Sequence, residues 1–430
     1  MKYVILTVMM ITSFSLAASA DEWPVLHNSK HTGFSSTTVL KPPLKLKWAV
    51  KAPGAFKAGP VVAEGKVVIQ SREGYLFCFN AETGEPVWRY FVQRMGAHYV
   101  GFTETGPCID NGKVFANFYS AGHPGVSGMR CFDLNTGDLI WKRPSGYTEH
   151  RIHFSPQVIK GRLLFCSNRE MTGAQTENIS SLVHHAQVQC WDAATGDTLW
   201  THTLATRVAA NTTILIAGDT IFASAAWANN TDSGKTVALD TNGNVLWSST
   251  EHHVSGYTGN MQYIDGKLWL LTAGTAALRI IDPADGWKVK MQAGAGDCYS
   301  KIYPVMNGKY YGRSYGGWAY PASIATGQAT PFISKWGQSA GSGCGAPVAA
   351  NGYIYNVFGG GGGITYPKGA TFPAGTAFDA GFKIVATDEA GNIVWYFQDR
   401  SHHCASVAVA YDRLFATAGT EGMIYCFENE

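Results

Sequence analysis

The chain has 430 residues, a formal net charge of +2, 15% charged residues, 13% aromatic residues and 49 glycines. A charge this close to zero gives no electrostatic reason to expect nucleic acid or an anionic membrane as partner. Abundant glycine and aromatic residues suit a β-rich fold with many tight turns rather than a helical or disordered one.

The first segment, MKYVILTVMMITSFSLAASA, carries Lys2, an apolar run from Tyr3 to about Met10 and the small triplet Ala18-Ser19-Ala20. It reads as a cleavable leader over residues 1–20, cut before Asp21. Thr and Ser interrupt the apolar run, which is too short to span a bilayer. No lipobox cysteine stands at the cut. These features predict a periplasmic or secreted monomer without a membrane anchor, whose mature form begins with an N-terminal extension over 21–43.

From residue 44 onward the sequence repeats. FNAETGEPVW (Phe79 to Trp88) returns as FDLNTGDLIW (Phe132 to Trp141), WDAATGDTLW (Trp191 to Trp200), LDTNGNVLW (Leu239 to Trp247) and TDEAGNIVW (Thr387 to Trp395). Similarity at intervals of roughly 40 to 60 residues indicates a repeat architecture. In the first copy, GPVVA, VVIQS, YLFCFN and PVWRYFV read as four short strands, separated by the turns EGK, REG and AETGE. That is one antiparallel meander, too small to be stable alone.

Eight copies open with GPVVAEG, GPCIDNG, SPQVIKG, TTILIAG, NMQYIDG, YPVMNG, APVAANG and SVAVAYD. The sixth is degenerate, with Phe332 where the tryptophan belongs, and the eighth stops at CFENE without a fourth strand. LKLKWAVKAP (Leu44 to Pro53) supplies the missing strand from the other end. The prediction is therefore an all-β chain: an eight-bladed β-propeller of four-stranded antiparallel blades over 44–430, closed by pairing of the N-terminal strand with the C-terminal blade.

The Asp-x-x-Thr-Gly-x-x-x-Trp pattern resembles the PQQ-type repeat of the quinoprotein alcohol dehydrogenase-like superfamily, and DEWPVLHNSKHTGFSS resembles the lead-in of exported proteins of that group. The resemblance covers nearly the whole mature chain and extends to a BamB-like architecture. It implies that each repeat tryptophan docks flat between neighbouring blades.

Nine cysteines in an exported chain leave at least one unpaired. Cys78, Cys131, Cys190 and Cys426 sit where other copies have Ala238 or Ala386, which marks them as small buried fillers.

Chemistry is expected on the face carrying the long connections: 120–128, 169–185, 227–234 and 358–381. Ten of the 13 histidines fall there: His98, His123, His150, His153, His184, His185, His252, His253, His402 and His403. Loops are also simply where polar side chains go. Aligned on the end of the first strand, Lys57, Glu104, His153, Ala210, Thr258, Lys301, Cys344 and Cys404 stand where the innermost strands enter the disc. Asp297, Cys298, Tyr299, His402 and His403 join them at the mouth of the central channel. The predicted ligand-binding set is Lys57, Glu104, His153, Asp297, Lys301, Cys344, His402, His403 and Cys404.

Imidazole and thiolate suit zinc or copper, for which the candidate ligands are His153, Cys298, Cys344, His402, His403 and Cys404. The superfamily resemblance implies PQQ with calcium as another candidate cofactor. Asp297 and Glu104 then stand as base or calcium ligand, and Trp227, Trp318 or Trp336 as the stacking surface. No adjacent cysteine pair is present, and no catalytic residue carries over by motif. GGGGG at 359–363 lacks the ending of a phosphate loop. The reading is an exported binding or scaffold protein with a protein or small-molecule partner at the His/Cys-rich channel mouth. Its alternative is a quinone- or metal-dependent oxidoreductase.

Overall fold

The computed structural model describes residues 22–25, 34–56, 58–71, 73–92, 106–118, 128–144, 155–170, 184–205, 210–227, 230–251, 260–272, 277–294, 304–313, 319–323, 347–358, 382–399, 404–419 and 422–430. They form eight sheets, six of them antiparallel meanders in chain order and two, blades 7 and 8, that add a strand from the start of the chain. Blade 1 runs Val61–Ala63, Lys66–Gln70, Tyr75–Asn80 and Pro86–Phe91. Blades 2 to 5 repeat this order with four strands each, and blade 6 shows three described strands, Val305–Met306, Lys309–Arg313 and Ala319–Ser323.

Blade 8 takes its fourth strand from the start of the chain. Leu44–Lys51 pairs antiparallel with Met423–Asn429, from Leu44 opposite Asn429 to Lys51 opposite Met423. The innermost strand of blade 8, Cys404–Ala410, contacts those of blades 7 and 1, Val348–Ala350 and Val61–Ala63, so the first and last segments complete the ring. A single apolar cluster runs through blades 7, 8 and 1 and includes Phe415, Tyr425, Phe427, Phe77, Phe79 and Tyr355.

Burial explains why these sequences become strands stacked in a ring. In Tyr75–Asn80 the inner four residues, Leu76 to Phe79, are all buried, because a blade has neighbours on both faces. The outermost strand has a solvent side, and Pro86–Phe91 alternates between exposed and half-buried.

Where the fourth strand carries a tryptophan, it breaks register with the third just before or beside that residue, for example between Leu139 and Trp141. The bulge re-aims the indole toward the next blade and interrupts the free edge. There the ring covers a turn glycine. A Cβ on Gly84, Gly137, Gly196 or Gly243 would lie 2.6–2.8 Å from the ring of Trp48, Trp88, Trp141 or Trp200 respectively. The indole N–H donates into the same turn: Trp88 to Leu134 O at 2.8 Å, Trp141 to Ala193 O at 3.1 Å, Trp200 to Thr241 O at 3.1 Å and Trp48 to Ala81 O at 3.3 Å. Trp395 of blade 7 donates to Leu44 O at 2.8 Å, at the head of the closing strand. Blade 5 lacks the Thr-Gly turn and uses a 3-10 turn, Pro283–Asp285, whose Trp287 stacks on Trp247 at 4.7 Å.

Two features depart from the sequence reading. Trp227 pairs with Asn230, and Asn230–Leu239 is strand, so most of the 227–234 connection continues the hairpin. Its Thr and Ser residues tolerate a pleated surface, and a long hairpin satisfies backbone groups that a loop would leave to water. The second departure is a fifth strand in blade 7, Phe34–Ser35, which pairs parallel to Val348–Ala350 on the side facing the axis.

Candidate functional site

One end of the disc is a surface of short turns whose polar groups are committed to structure. Asp133 Oδ1 accepts from the amides of Asn135 at 2.8 Å and Thr136 at 2.9 Å, and Thr136 Oγ1 donates to Asp138 at 2.7 Å. Asp192 repeats this with Ala194, Thr195 and Asp197, while Asp240 and Asp388 bond Asn244 and Asn392. The recurring Asp is thus the acceptor that folds the turn beneath the docked indole. Hydrogen bonds from the Thr136 and Asn135 amides hold the Asp133 carboxyl below its usual range, and the Asn244 side chain and amide do the same for Asp240.

Further contacts on this face tie blade to blade. The Gly112 amide donates to both Glu64 carboxylate oxygens at 3.0–3.1 Å, and Lys160 pairs with Asp219 at 2.6 Å. At the closure Lys47 bridges Glu82 at 2.7 Å and Glu428 at 2.8 Å, and Arg413 pairs with Glu82. Hydrogen bonds from Lys47 lower the Glu82 and Glu428 pKa values. Carboxyls depressed in the folded state add stability above the ordinary carboxylate range, and that contribution is lost as pH falls through the folded pKa. Glu82→Gln should therefore cost about 0.2–1 kcal/mol at neutral pH, small because Glu82 is exposed. Urea melts at pH 7 and pH 3 check this: the deficit should shrink at the lower pH.

The inner edges of blades 1, 2 and 7 hold described parts of the chain's own N-terminal extension. Trp23 and Val62 exchange backbone hydrogen bonds at 2.7 and 2.8 Å on the inner edge of blade 1, and the Ile109 amide of blade 2 donates to Pro24 O at 2.9 Å. Trp23 is fully buried against the cluster of blades 7, 8 and 1. Val25, 4% exposed, packs with Phe115, Trp141, Phe165 and Trp191 between blades 2 and 3. Glu22 Oε1 accepts from the Glu64 amide at 2.9 Å and from Tyr411 OH at 2.8 Å, while the Gly65 amide donates to the same hydroxyl at 3.0 Å. Burial, above all, raises the Tyr411 pKa, so its hydroxyl keeps the proton it donates. Tyr411 holds φ +53°, where blades 2, 6 and 7 place Asn111, Asn307 and Asn351. Left-handed backbone costs a bulky residue about 1–2 kcal/mol, so the contact with Glu22 offsets real strain. The extension then leaves along blades 7 and 8, where Asp412 accepts from the Val39 amide at 2.6 Å and Asn429 from the Lys41 amide at 2.8 Å.

Most of the sequence-predicted site lies outside the described residues: Lys57, Glu104, His153, Asp297, Cys298, Tyr299, Lys301, Cys344, His402 and His403, with Trp318 and Trp336. Cys404 opens the innermost strand of blade 8, opposite Ala418. His184 and His185 open the third strand of blade 3, opposite Glu170 and Arg169 and at the end remote from the short turns. Among the described residues no group of three or more His, Cys, Asp and Glu could hold a metal ion, and no helix is long and apolar enough to cross a membrane.

Comparison with known proteins fits this geometry. A family model described as outer membrane protein assembly factor BamB matches residues 40–178 and 129–357. The chain belongs to this family. BamB from Burkholderia pseudomallei is 27% identical over 188 residues, 42% of this chain and 44% of the relative. BamB from Nitrosomonas eutropha is 24% identical over 157 residues, 36% and 34% of the two chains. The matches thus span less than half the length of these relatives. Among solved structures, BamB from Moraxella catarrhalis superposes with a TM-score of 0.59 at 13% identity, covering 90% of this chain and all of that one. A quinohemoprotein alcohol dehydrogenase from Pseudomonas putida gives 0.64 at 12% identity, covering 95% and 80%. At such identities both report the fold alone.

Within this BamB-family frame the repeat cysteines are fillers. Cys78, Cys131, Cys190 and Cys426 are free and fully buried. Desolvation lifts their pKa values to about 12, 12, 11 and 12 respectively. A thiol reagent at pH 8 should leave all four unmodified in the native protein and label them in denaturant, as peptide mass spectrometry would show.

Proposed function

We propose that the protein is an exported, periplasmic β-propeller that acts as a binding or scaffold protein, holding a protein partner through the loop-bearing face of the disc. The observation that carries this reading is the family match along 40–357, on a frame whose opposite face is committed to turn and inter-blade contacts. A rigid ring that spends one face on its own cohesion has its other face and its variable connections for recognition. The relatives are named as factors of outer membrane protein assembly, and we extend that process to this chain as its setting. The histidine-rich connections and Glu104, His153, Cys344 and Cys404, which the sequence assigns to the channel mouth, are the proposed contact region.

The test is made in cells. Loss of the protein should lower the amount of folded β-barrel protein in the outer membrane, and the full-length protein should restore it. A variant with the 171–183 segment shortened should fail to restore it while melting like the parent.

The resemblance of the Asp-x-x-Thr-Gly-x-x-x-Trp repeats to the PQQ-type repeat motivates a second reading, an oxidoreductase with quinone or metal at the channel mouth. Metal analysis and a visible absorption spectrum of protein purified from the periplasm separate the two. Unchanged outer-membrane barrels together with a stoichiometric metal or quinone band would replace the scaffold reading with the enzyme.

A further inference from the structure

The contact of the inner blade edges with residues 22–25 and 34–35 has the parts of a receptor bound to an extended peptide. Recognition by strand addition uses backbone pairing for affinity and alternating side-chain sites for selectivity. Both are present here. The inner edge of blade 1 exchanges two backbone hydrogen bonds with Trp23, blade 2 donates one to Pro24, and blade 7 pairs with Phe34–Ser35. Side-chain sites follow in order: an anion site for Glu22 built from the Glu64 amide and Tyr411 OH, a closed apolar site for Trp23 and an apolar site for Val25. Pro24 lacks an N–H and contributes a carbonyl, which is the group blade 2 uses.

We propose that the axial edges of blades 1, 2 and 7 form a binding site for an extended peptide of the pattern acid–aromatic–proline–aliphatic, and that Glu22–Val25 with Phe34–Ser35 is its resident ligand. Tethering gives the resident a high effective concentration. A competing strand from a partner protein takes the site when it matches the pattern and is held nearby by other contacts. The inference stands apart from the scaffold reading, because it is tested on the isolated protein.

Ser36 and Thr37 are exposed, and the chain beyond them is held independently by Asp412 and Asn429. A protease site inserted between them allows the full chain to fold before it is cut. The freed fragment should stay with the disc on gel filtration, and a labelled synthetic peptide of residues 21–36 should exchange with it saturably. Trp23→Ala in that peptide, or Tyr411→Phe in the disc, should weaken binding by roughly tenfold or more, the factor for one lost contact of ordinary strength. Release of the fragment on cutting, unfolding of the cut chain, or a bound fragment that never exchanges would each overturn the proposal. Hydrogen exchange on the unmodified chain gives an independent reading. The Trp23 amide should open more readily than the amides of Val67 and Val68, whereas equal protection would make the segment an integral strand and sink the idea.

Discussion

Replacing Trp141 by alanine is expected to lower stability by about 3–5 kcal/mol, the usual loss on emptying a buried aromatic site. The indole is 6% exposed, lies against Phe115 and Trp191, and covers the Gly196 turn to which its N–H is bonded. Truncation removes the apolar contact and leaves Ala193 O without this donor, at the seam between blades 2 and 3. Trp200 makes the same contact at the next seam but is only half-buried, so Trp200→Ala should cost less. Gly196→Ala attacks the seam from the other side, because the residue sits at φ +74° and its new Cβ would meet the ring of Trp141 at 2.8 Å. Urea denaturation with an unchanged m-value is the measurement. A Trp141→Ala midpoint equivalent to within about 0.5 kcal/mol of the parent, the range of ordinary surface changes, would mean the indole does not join the blades.

Trp23→Ala should be as costly, again about 3–5 kcal/mol, although the residue lies in a segment that precedes the first repeat. Its ring is fully buried, yet its Nε1 has no hydrogen-bond partner among the described residues. The stabilisation is therefore one of apolar packing, partly cancelled by an N–H removed from water. Trp23→Phe keeps most of the apolar surface and removes that N–H, so it should be far milder than Trp23→Ala. Equal losses for the two variants, measured by urea denaturation, would show that the indole N–H does find a partner. Small losses for both would detach residues 22–25 from the core.

These two tryptophans were unequally visible before the fold was known. Trp141 recurs at a fixed place after Asp-x-x-Thr-Gly, and recurrence is what a repeated seam produces. The pairing of Leu44–Lys51 with the last blade was legible for the same reason: one copy lacked a fourth strand and another segment matched it. Trp23 belongs to no repeat. The signals were an aromatic between an acid and a proline and the lead-in resemblance of DEWPVLHNSKHTGFSS, in a segment read as an N-terminal extension over 21–43. Tyr411 gave less, since a tyrosine in place of a turn asparagine looks like random variation until its hydroxyl is seen to reach Glu22.

The loop-face residues show the opposite balance. Spacing put His153, Cys344 and Cys404 at corresponding positions of three blades, and Cys404 does head the innermost strand of blade 8. Correspondence along the chain fixes the end of the disc at which a residue enters. It does not fix whether side chains from separate blades meet, because that depends on loops whose paths no repeat constrains.

By itself the sequence determined the strand order, the closure by pairing of the first strand with the last blade, the buried role of the repeat cysteines and the family of folds. All of these follow from local periodicity: alternation within a strand, glycine at turns with positive φ, and an aromatic at each seam. Tertiary structure alone decided that the extension meets the inner edges of blades 1, 2 and 7, that Glu22 is pinned between blades 1 and 8, and that the turn face is strapped together by ion pairs such as Lys47 with Glu82. Those contacts join different blades, or the extension to a blade, across as many as the 389 positions between Glu22 and Tyr411, and only closing the ring brings them within hydrogen-bonding distance.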